Sequence, residues 1–168
     1  MDFRALLSAL TAGGVRFILV GGVAAVVQGV PLHTYDLDVV HARDPENRRR
    51  LIAVLRQLDA HYRQNRTKKL EPREEDLGLP GTHLLSTRFG PLDLLGTILD
   101  KWAYEDLLGR SIPYEFAEGL RVQVLDLELL LEIKEALGRE KDRAQVLEYR
   151  RTLEERRKGE ARPSPESD

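Results

Sequence analysis

Two glycines and two aspartates mark the part of the sequence best suited to chemistry. The stretch from Ile18 to Val40 reads ILVGGVAAVVQGVPLHTYDLDVV, with Gly21 and Gly22 ending one apolar run and Asp36 and Asp38 inside the next. Glycine weakens a strand and aspartate is disfavoured in one, so neither pair serves a hydrophobic core. Their presence in apolar surroundings therefore indicates a site.

The two aspartates predict a metal site. Residues two apart in a strand point to the same face, so Asp36 and Asp38 should project together while Leu37 and Val39 face the core. Two neighbouring carboxylates repel each other unless a cation lies between them. Their hard oxygen ligands suit Mg²⁺ or Mn²⁺, which also bridge substrate phosphates.

The glycine pair predicts an anion site beside the metal site. Without Cβ atoms, the backbone at Gly21 and Gly22 allows a phosphate to approach closely, and a helix that follows would point its N-terminus at the anion. A tight turn is the plainer interpretation of Gly-Gly alone.

Asp93 is the candidate for a third carboxylate. It lies in GPLDLLG, a strand-like segment in which a lone aspartate among leucines is out of place. A two-metal site needs bridging ligands, and an acceptor hydroxyl needs a base, so a third acid would complete the chemistry. A turn residue after Pro91 is the alternative.

The elements that must position these residues follow from hydrophobic periodicity. Helices are predicted from Phe3 to Leu10, from Pro45 to about Tyr62, over DKWAYEDLLGR, after the N-cap Asp126 and from Lys141 to about Arg156; the strands are VRFILV, TYDLDVVHA, two around Phe89-Gly90-Pro91, and a hairpin turning at Glu118-Gly119. This order predicts an α/β or α+β domain in which helices flank a mixed sheet and a helix pair ends the chain. We expect one domain over residues 1–156 and a disordered tail over 157–168.

Bulk composition narrows the function classes. The chain has 168 residues, no cysteine and a formal net charge of −2, which excludes disulfides, cysteine-based zinc sites and a strong overall field toward nucleic acid. It has no signal-peptide pattern and no apolar run near the ~20 residues that span a bilayer. We expect a soluble cytoplasmic protein that does not contact membrane.

Together these motifs resemble the nucleotidyltransferase superfamily, typified by DNA polymerase β and the minimal nucleotidyltransferases. The matching pattern is Gly-Gly, thirteen residues, then Asp-Leu-Asp, with a later lone aspartate on a strand. The stretch GGVAAVVQGVPLHTYDLDVV is especially similar to the bacterial branch of AbiEii-type toxins and uncharacterised nucleotidyltransferase-like proteins, whose T-x-D-h-D segment matches Thr34, Asp36 and Asp38. DLLGTI after Asp93 and LEIKEALGREKDRAQV extend the resemblance to about residue 150.

The resemblance implies transfer of a nucleoside monophosphate from a Mg²⁺-bound triphosphate. Asp36, Asp38 and Asp93 would be the catalytic and metal-binding residues, with two ions of Mg²⁺ or Mn²⁺. Gly21, Gly22 and Thr34 would bind the nucleotide. The branch has an arginine beside its threonine segment where this chain has Leu32-His33, so His33 is predicted as a weaker phosphate contact.

Two helical lysines are secondary candidates for nucleotide binding. Lys134 and Lys141 lie in the family-like C-terminal region, and each has a plainer interpretation as a solvated lysine on a helix face. Thr34 likewise has a plainer interpretation as a strand-favouring residue.

The acceptor is left open by the sequence. It could be an RNA such as tRNA, a protein or a small hydroxyl compound, and a basic stretch could contact RNA phosphates: Arg63, Arg66, Lys68, Lys69 and Arg73. The alternative to an enzyme is a non-catalytic binding module of the same fold, for example a toxin–antitoxin component whose protein partner is encoded by a neighbouring gene.

Overall fold

A computed structural model describes residues 1–64 and 69–160, without the side chains of Lys141 and Glu160. These residues form six α-helices and seven β-strands. In chain order the elements are α1 (Phe3–Ala12), β1 (Phe17–Val20), α2 (Gly21–Val26), β2 (Leu37–His41), α3 (Pro45–Gln57), β3 (His61–Tyr62), β4 (Thr82–Thr87), β5 (Gly90–Leu95), α4 (Tyr104–Leu107), β6 (Ser111–Ala117), β7 (Leu120–Leu125), α5 (Leu127–Leu137) and α6 (Glu140–Glu160).

The strands form one mixed sheet, which confirms the predicted fold class. Its order is β3-β4-β5-β2-β1-β7-β6. The pairs β2/β5 and β1/β7 are parallel, and the remaining neighbours are antiparallel. The interior strand β1 is buried along its whole length, as expected of a strand with neighbours on both sides.

Aspartate side chains cap the starts of three helices, including the predicted cap Asp126. The side chain of Asp2 accepts a hydrogen bond from Ala5 N at 2.9 Å before α1, and Asp44 and Asp126 do the same before α3 and α5 at 3.1 and 2.7 Å. Each cap satisfies one of the backbone N–H groups that a helix leaves unpaired at its first turn.

The helices pack in two groups. Helix α1 contacts α3 and β7, whereas α2 contacts β1, β2 and α5, and α5 packs along α6. The second group lies beside the strand ends that carry the aspartates, so the C-terminal helix pair borders the candidate site.

Several predicted boundaries differ from the structure. The helix expected over DKWAYEDLLGR is limited to α4, because Leu99 and Asp100 at its start have left-handed φ of 53° and 51° and Trp102 forms a β-bridge with Ile98. The two-residue strand β3 was not predicted, since the helix before it was expected to run to about Tyr62. Helix α6 includes residues 157–160, and the rest of the predicted tail, residues 161–168, lies outside the described residues.

None of the described helices combines the length with the apolar character that a membrane crossing needs.

Candidate metal and nucleotide site

The three aspartates meet at one end of the parallel strand pair. Asp38 of β2 lies directly opposite Asp93 of β5 in the sheet register, and Asp36 precedes β2 by one residue. Paired positions on neighbouring strands face the same way, which brings the two strand aspartates side by side. One carboxylate oxygen from each of the three lies within 4.8 Å of the other two. The structure therefore brings these three predicted residues together.

The site is short of positive charge. Burial, together with the charges of Asp36 and Asp93, raises the pKa of Asp38 from 3.8 to about 7, against a hydrogen bond from the Gly22 backbone and the charge of Arg63, which lower it. With no bound cation, the Asp38 carboxyl is therefore protonated in a large fraction of molecules at neutral pH.

This arrangement fits a divalent cation. The donors are three carboxylates, which are the hard oxygen ligands that Mg²⁺ and Mn²⁺ prefer. A cation among them would also remove the repulsion that raises the pKa of Asp38. Asp36, Asp38 and Asp93 are the residues that would hold it, and the presence of two ions stays a prediction.

Gly21 and Gly22 lack the Cβ atoms that would overlap the side chains of Asp38 and Thr34. Gly21 has φ of +66°, and a Cβ atom there would lie 2.1 Å from Asp38 Oδ2. A Cβ atom on Gly22 would lie 2.6 Å from Thr34 Oγ1. Both residues belong to α2, whereas the sequence predicted a helix that begins after them. Their first structural role is to make room for Asp38 and Thr34, and their role toward a phosphate stays a prediction.

Thr34 positions the first aspartate. Its hydroxyl lies 3.3 Å from both the backbone oxygen and Oδ1 of Asp36, to which it donates. His33 precedes it in the loop between α2 and β2 and is exposed, as is Tyr35. The predicted nucleotide contacts of Thr34 and His33 stay predictions.

Lys134 is an interior residue of the C-terminal helix pair. Its side chain is only 16% exposed, its Nζ donates to Asp142 Oδ1 at 2.9 Å, and it lies 5.5 Å from the ring centroid of Tyr149. The interpretation as a solvated lysine is therefore wrong. Lys141 was predicted to bind nucleotide through a side chain that lies outside the described residues.

The helix pair and the acids share one electrostatic environment. Tyr149 is fully buried, and its hydroxyl has no hydrogen-bond partner among the described residues. Burial raises the pKa of Tyr149, and the charges of Asp142 and Asp38 raise it further. The carboxylate of Asp38 is thus close enough to α6 for the two regions to influence each other.

The partner of Arg63 was not predicted from the sequence. This arginine was grouped with a basic stretch that could contact RNA, but its guanidinium forms an ion pair with Asp93. Two other members of that stretch are also paired with acids: Lys69 with Asp59 and Arg73 with Asp76, each at 3.0 Å. The remaining members, Arg66 and Lys68, lie outside the described residues.

No sequence signal identified this role of Arg63. The residue follows a strand of two residues, too short to give a periodic pattern. Its approach to Asp93 depends on the order of three strands in the sheet, which single-sequence periodicity does not contain.

The chain shares its fold with a solved structure of similar length. No protein-family model and no curated protein matches the chain. The chain is similar to the crystal structure of a "putative nucleotidyltransferase" (TM1012) from Thermotoga maritima, with 21% sequence identity, 90% of each chain covered and a TM-score of 0.52. At this identity the similarity shows a shared fold, as the superfamily resemblance predicted. The finer resemblance to the AbiEii-type branch stays a prediction.

Proposed function

We propose that this protein is a Mg²⁺-dependent nucleotidyltransferase that transfers a nucleoside monophosphate from a nucleoside triphosphate to a hydroxyl acceptor. The observation that carries the proposal is the convergence of Asp36, Asp38 and Asp93 within 4.8 Å, on a fold shared with a protein described as a "putative nucleotidyltransferase". We assign the function to a single domain, residues 1–156.

The carboxylates have separate tasks in this proposal. Asp36 and Asp38 hold the cation on the side of the triphosphate, and Thr34 keeps Asp36 in place through its hydroxyl. Asp93 would share the cation and take the proton of the acceptor hydroxyl as that oxygen attacks the α-phosphorus. The bond between the α-phosphorus and the oxygen that links it to the β-phosphorus would break, and pyrophosphate would leave. When bound, Mg²⁺ neutralises phosphate charge and stabilises the attacking and leaving oxygens.

The rigid surroundings of the acids support catalysis rather than binding alone. Gly21 packs so closely on Asp38 that a single added carbon atom would overlap its carboxylate. Catalytic groups need such fixed positions, because small displacements reduce the rate strongly.

The substrate classes follow from the same site. A nucleoside triphosphate is the donor, with its phosphates near Gly21, Gly22 and His33. The acceptor is an RNA such as tRNA, a protein or a small hydroxyl compound. Membership of the AbiEii-type branch would add a protein partner encoded by a neighbouring gene.

A non-catalytic binding module is the rival function, and the energetics of the acids oppose it. Burial and the charges of Asp36 and Asp93 raise the pKa of Asp38, so its ionised carboxylate costs folding free energy at neutral pH when no metal is bound. A module with no need for a metal would gain stability by losing one of these acids.

Calorimetric titration of Mg²⁺ together with each of the four common nucleoside triphosphates tests the proposal. The wild-type protein should release heat of binding, and Asp36→Ala/Asp38→Ala should release none. The matched control is Glu115→Ala/Glu118→Ala, which removes two exposed acids from the β6/β7 hairpin and should bind like wild type. Equal, negligible heats in all three proteins would refute the proposal.

A further inference from the structure

Arg63 lies in a row of residues that crosses the sheet at the level of the acids. Its backbone N–H donates to Leu84 O at 3.0 Å on β4, Leu84 lies opposite Asp93 on β5, and Asp93 lies opposite Asp38 on β2. Backbone pairing therefore fixes the position of the Arg63 main chain relative to Asp93 and Asp38. The guanidinium reaches past β4 to the carboxylate on the next strand.

The ion pair of Arg63 with Asp93 is shielded from water. The Arg63 side chain is 28% exposed and that of Asp93 is 11% exposed. The same positive charge also acts on Asp38, which lies further along the row. Arg63 thus supplies to two of the three acids part of the charge that a metal ion would supply.

A guanidinium and a divalent cation compete for a carboxylate. Both bind the oxygens of Asp93, and a cation held by all three acids would repel a positive charge beside it. Arginine at such a place is well suited to a second task, because its planar group binds phosphate oxygens as well as carboxylate oxygens. Once the guanidinium of Arg63 has left Asp93, its positive charge would face the anionic substrate.

We propose that Arg63 is a displaceable counter-cation: it holds Asp93 while the metal is absent, gives up this carboxylate when a divalent cation binds, and then binds the phosphate chain of the substrate. This inference rests on the proposed function and adds to it a substrate-positioning residue on the strand β3 side of the site. If Arg63 has this role, its replacement should strengthen the binding of a divalent cation and weaken the binding of a phosphate chain.

The test uses calorimetric titration of the full chain with two probes, Mn²⁺ alone and inorganic tripolyphosphate in the presence of Mg²⁺. In Arg63→Gln, Mn²⁺ should bind about fivefold more tightly, because its competitor is gone. Tripolyphosphate should bind about tenfold more weakly, because a charge-assisted contact is lost. Arg63→Lys keeps the charge without the planar fork and should lie between wild type and Arg63→Gln for both probes.

Arg73→Gln is the matched control. Arg73 belongs to the same connection and pairs with an acid, Asp76, that is not part of the site. Its replacement should change neither affinity.

Failure of the inference differs from failure of the proposed function. If wild type binds Mn²⁺ and Arg63→Gln binds both probes more weakly, Arg63 only supports the structure of the site and the inference is wrong. An unchanged affinity for both probes, or a misfolded Arg63→Gln with Arg63→Lys identical to wild type in both titrations, would equally overturn it. If no variant, wild type included, binds Mn²⁺, the proposed function itself fails and the inference with it.

Discussion

Replacement of Asp38 by asparagine should make the metal-free protein more stable at neutral and alkaline pH. The carboxyl of Asp38 has a pKa of about 7 in the folded chain and 3.8 as its ordinary value. Between these values the folded state keeps a proton that the unfolded state releases. Stability contributed by this group is therefore complete below about pH 4 and is lost as the pH rises to about 7.

The size of the pKa shift of Asp38 determines how much stability Asp38→Asn should gain. A difference of about three pKa units corresponds to about 4 kcal/mol, at about 1.4 kcal/mol for each unit. The Asp38 side chain is half-buried rather than fully buried, and solvent screening reduces this figure, so we expect about 2 to 3 kcal/mol. An asparagine at this position has no proton to release and does not repel its two neighbours.

Urea denaturation in the presence of EDTA measures this difference. At pH 8 the midpoint of Asp38→Asn should lie about 1 M above that of wild type, and the two midpoints should converge toward pH 4. Added Mn²⁺ should stabilise wild type more than the variant, because only the folded wild type binds the ion well.

A control and a contrary result complete the test. Glu115→Gln alters an exposed acid on β6 and should change stability by less than about 0.5 kcal/mol. The reasoning is wrong if Asp38→Asn is less stable than wild type at pH 8 in EDTA, or if the difference between them does not grow with pH.

Three further substitutions test other parts of the structure. Burial lowers the pKa of His41 from 6.5 to about 4, so stability should fall as pH drops through this range, and His41→Gln should reduce that fall by up to about 3 kcal/mol in acid denaturation. The added methyl group of Gly21→Ala would overlap the carboxylate of Asp38, so the free energy of unfolding should fall by at least about 2 kcal/mol and Mn²⁺ should bind weakly. The control is Gly159→Ala, whose added atom meets nothing within 4 Å and which should be at least as stable as wild type in the same urea titration. Tyr149→Phe removes a buried hydroxyl that has no partner among the described residues, and it should raise the free energy of unfolding by about 1 kcal/mol; a decrease would show that the hydroxyl is hydrogen-bonded.

The sequence was informative where local pattern determines position. Gly-Gly after an apolar run and Asp-x-Asp at the start of the next strand are features of contiguous segments, and a lone aspartate among the leucines of GPLDLLG was enough to identify Asp93. The meeting of these segments follows from the parallel pairing of β2 with β5. The family resemblance implied a mixed sheet with flanking helices but not which strands pair.

The roles of Arg63 and Lys134 could not be predicted because they depend on tertiary docking. Arg63 reaches its partner across a neighbouring strand, and Lys134 is buried by α6, whose amphipathic pattern is weak. The left-handed residues Leu99 and Asp100 that shorten α4 also had no signal, since neither is a glycine.

The parallel pairing of β2 with β5 determines when the three acids come together during folding. Its partners are distant along the chain, since Leu37 pairs with Leu92, and α3, β3 and β4 lie between them. Such a long loop must close before Asp93 can join the other two acids, and closure of this kind is slow relative to local helix and hairpin formation. The acids therefore stay apart in a nascent or partly folded chain, and the competence to bind metal should appear together with the native sheet.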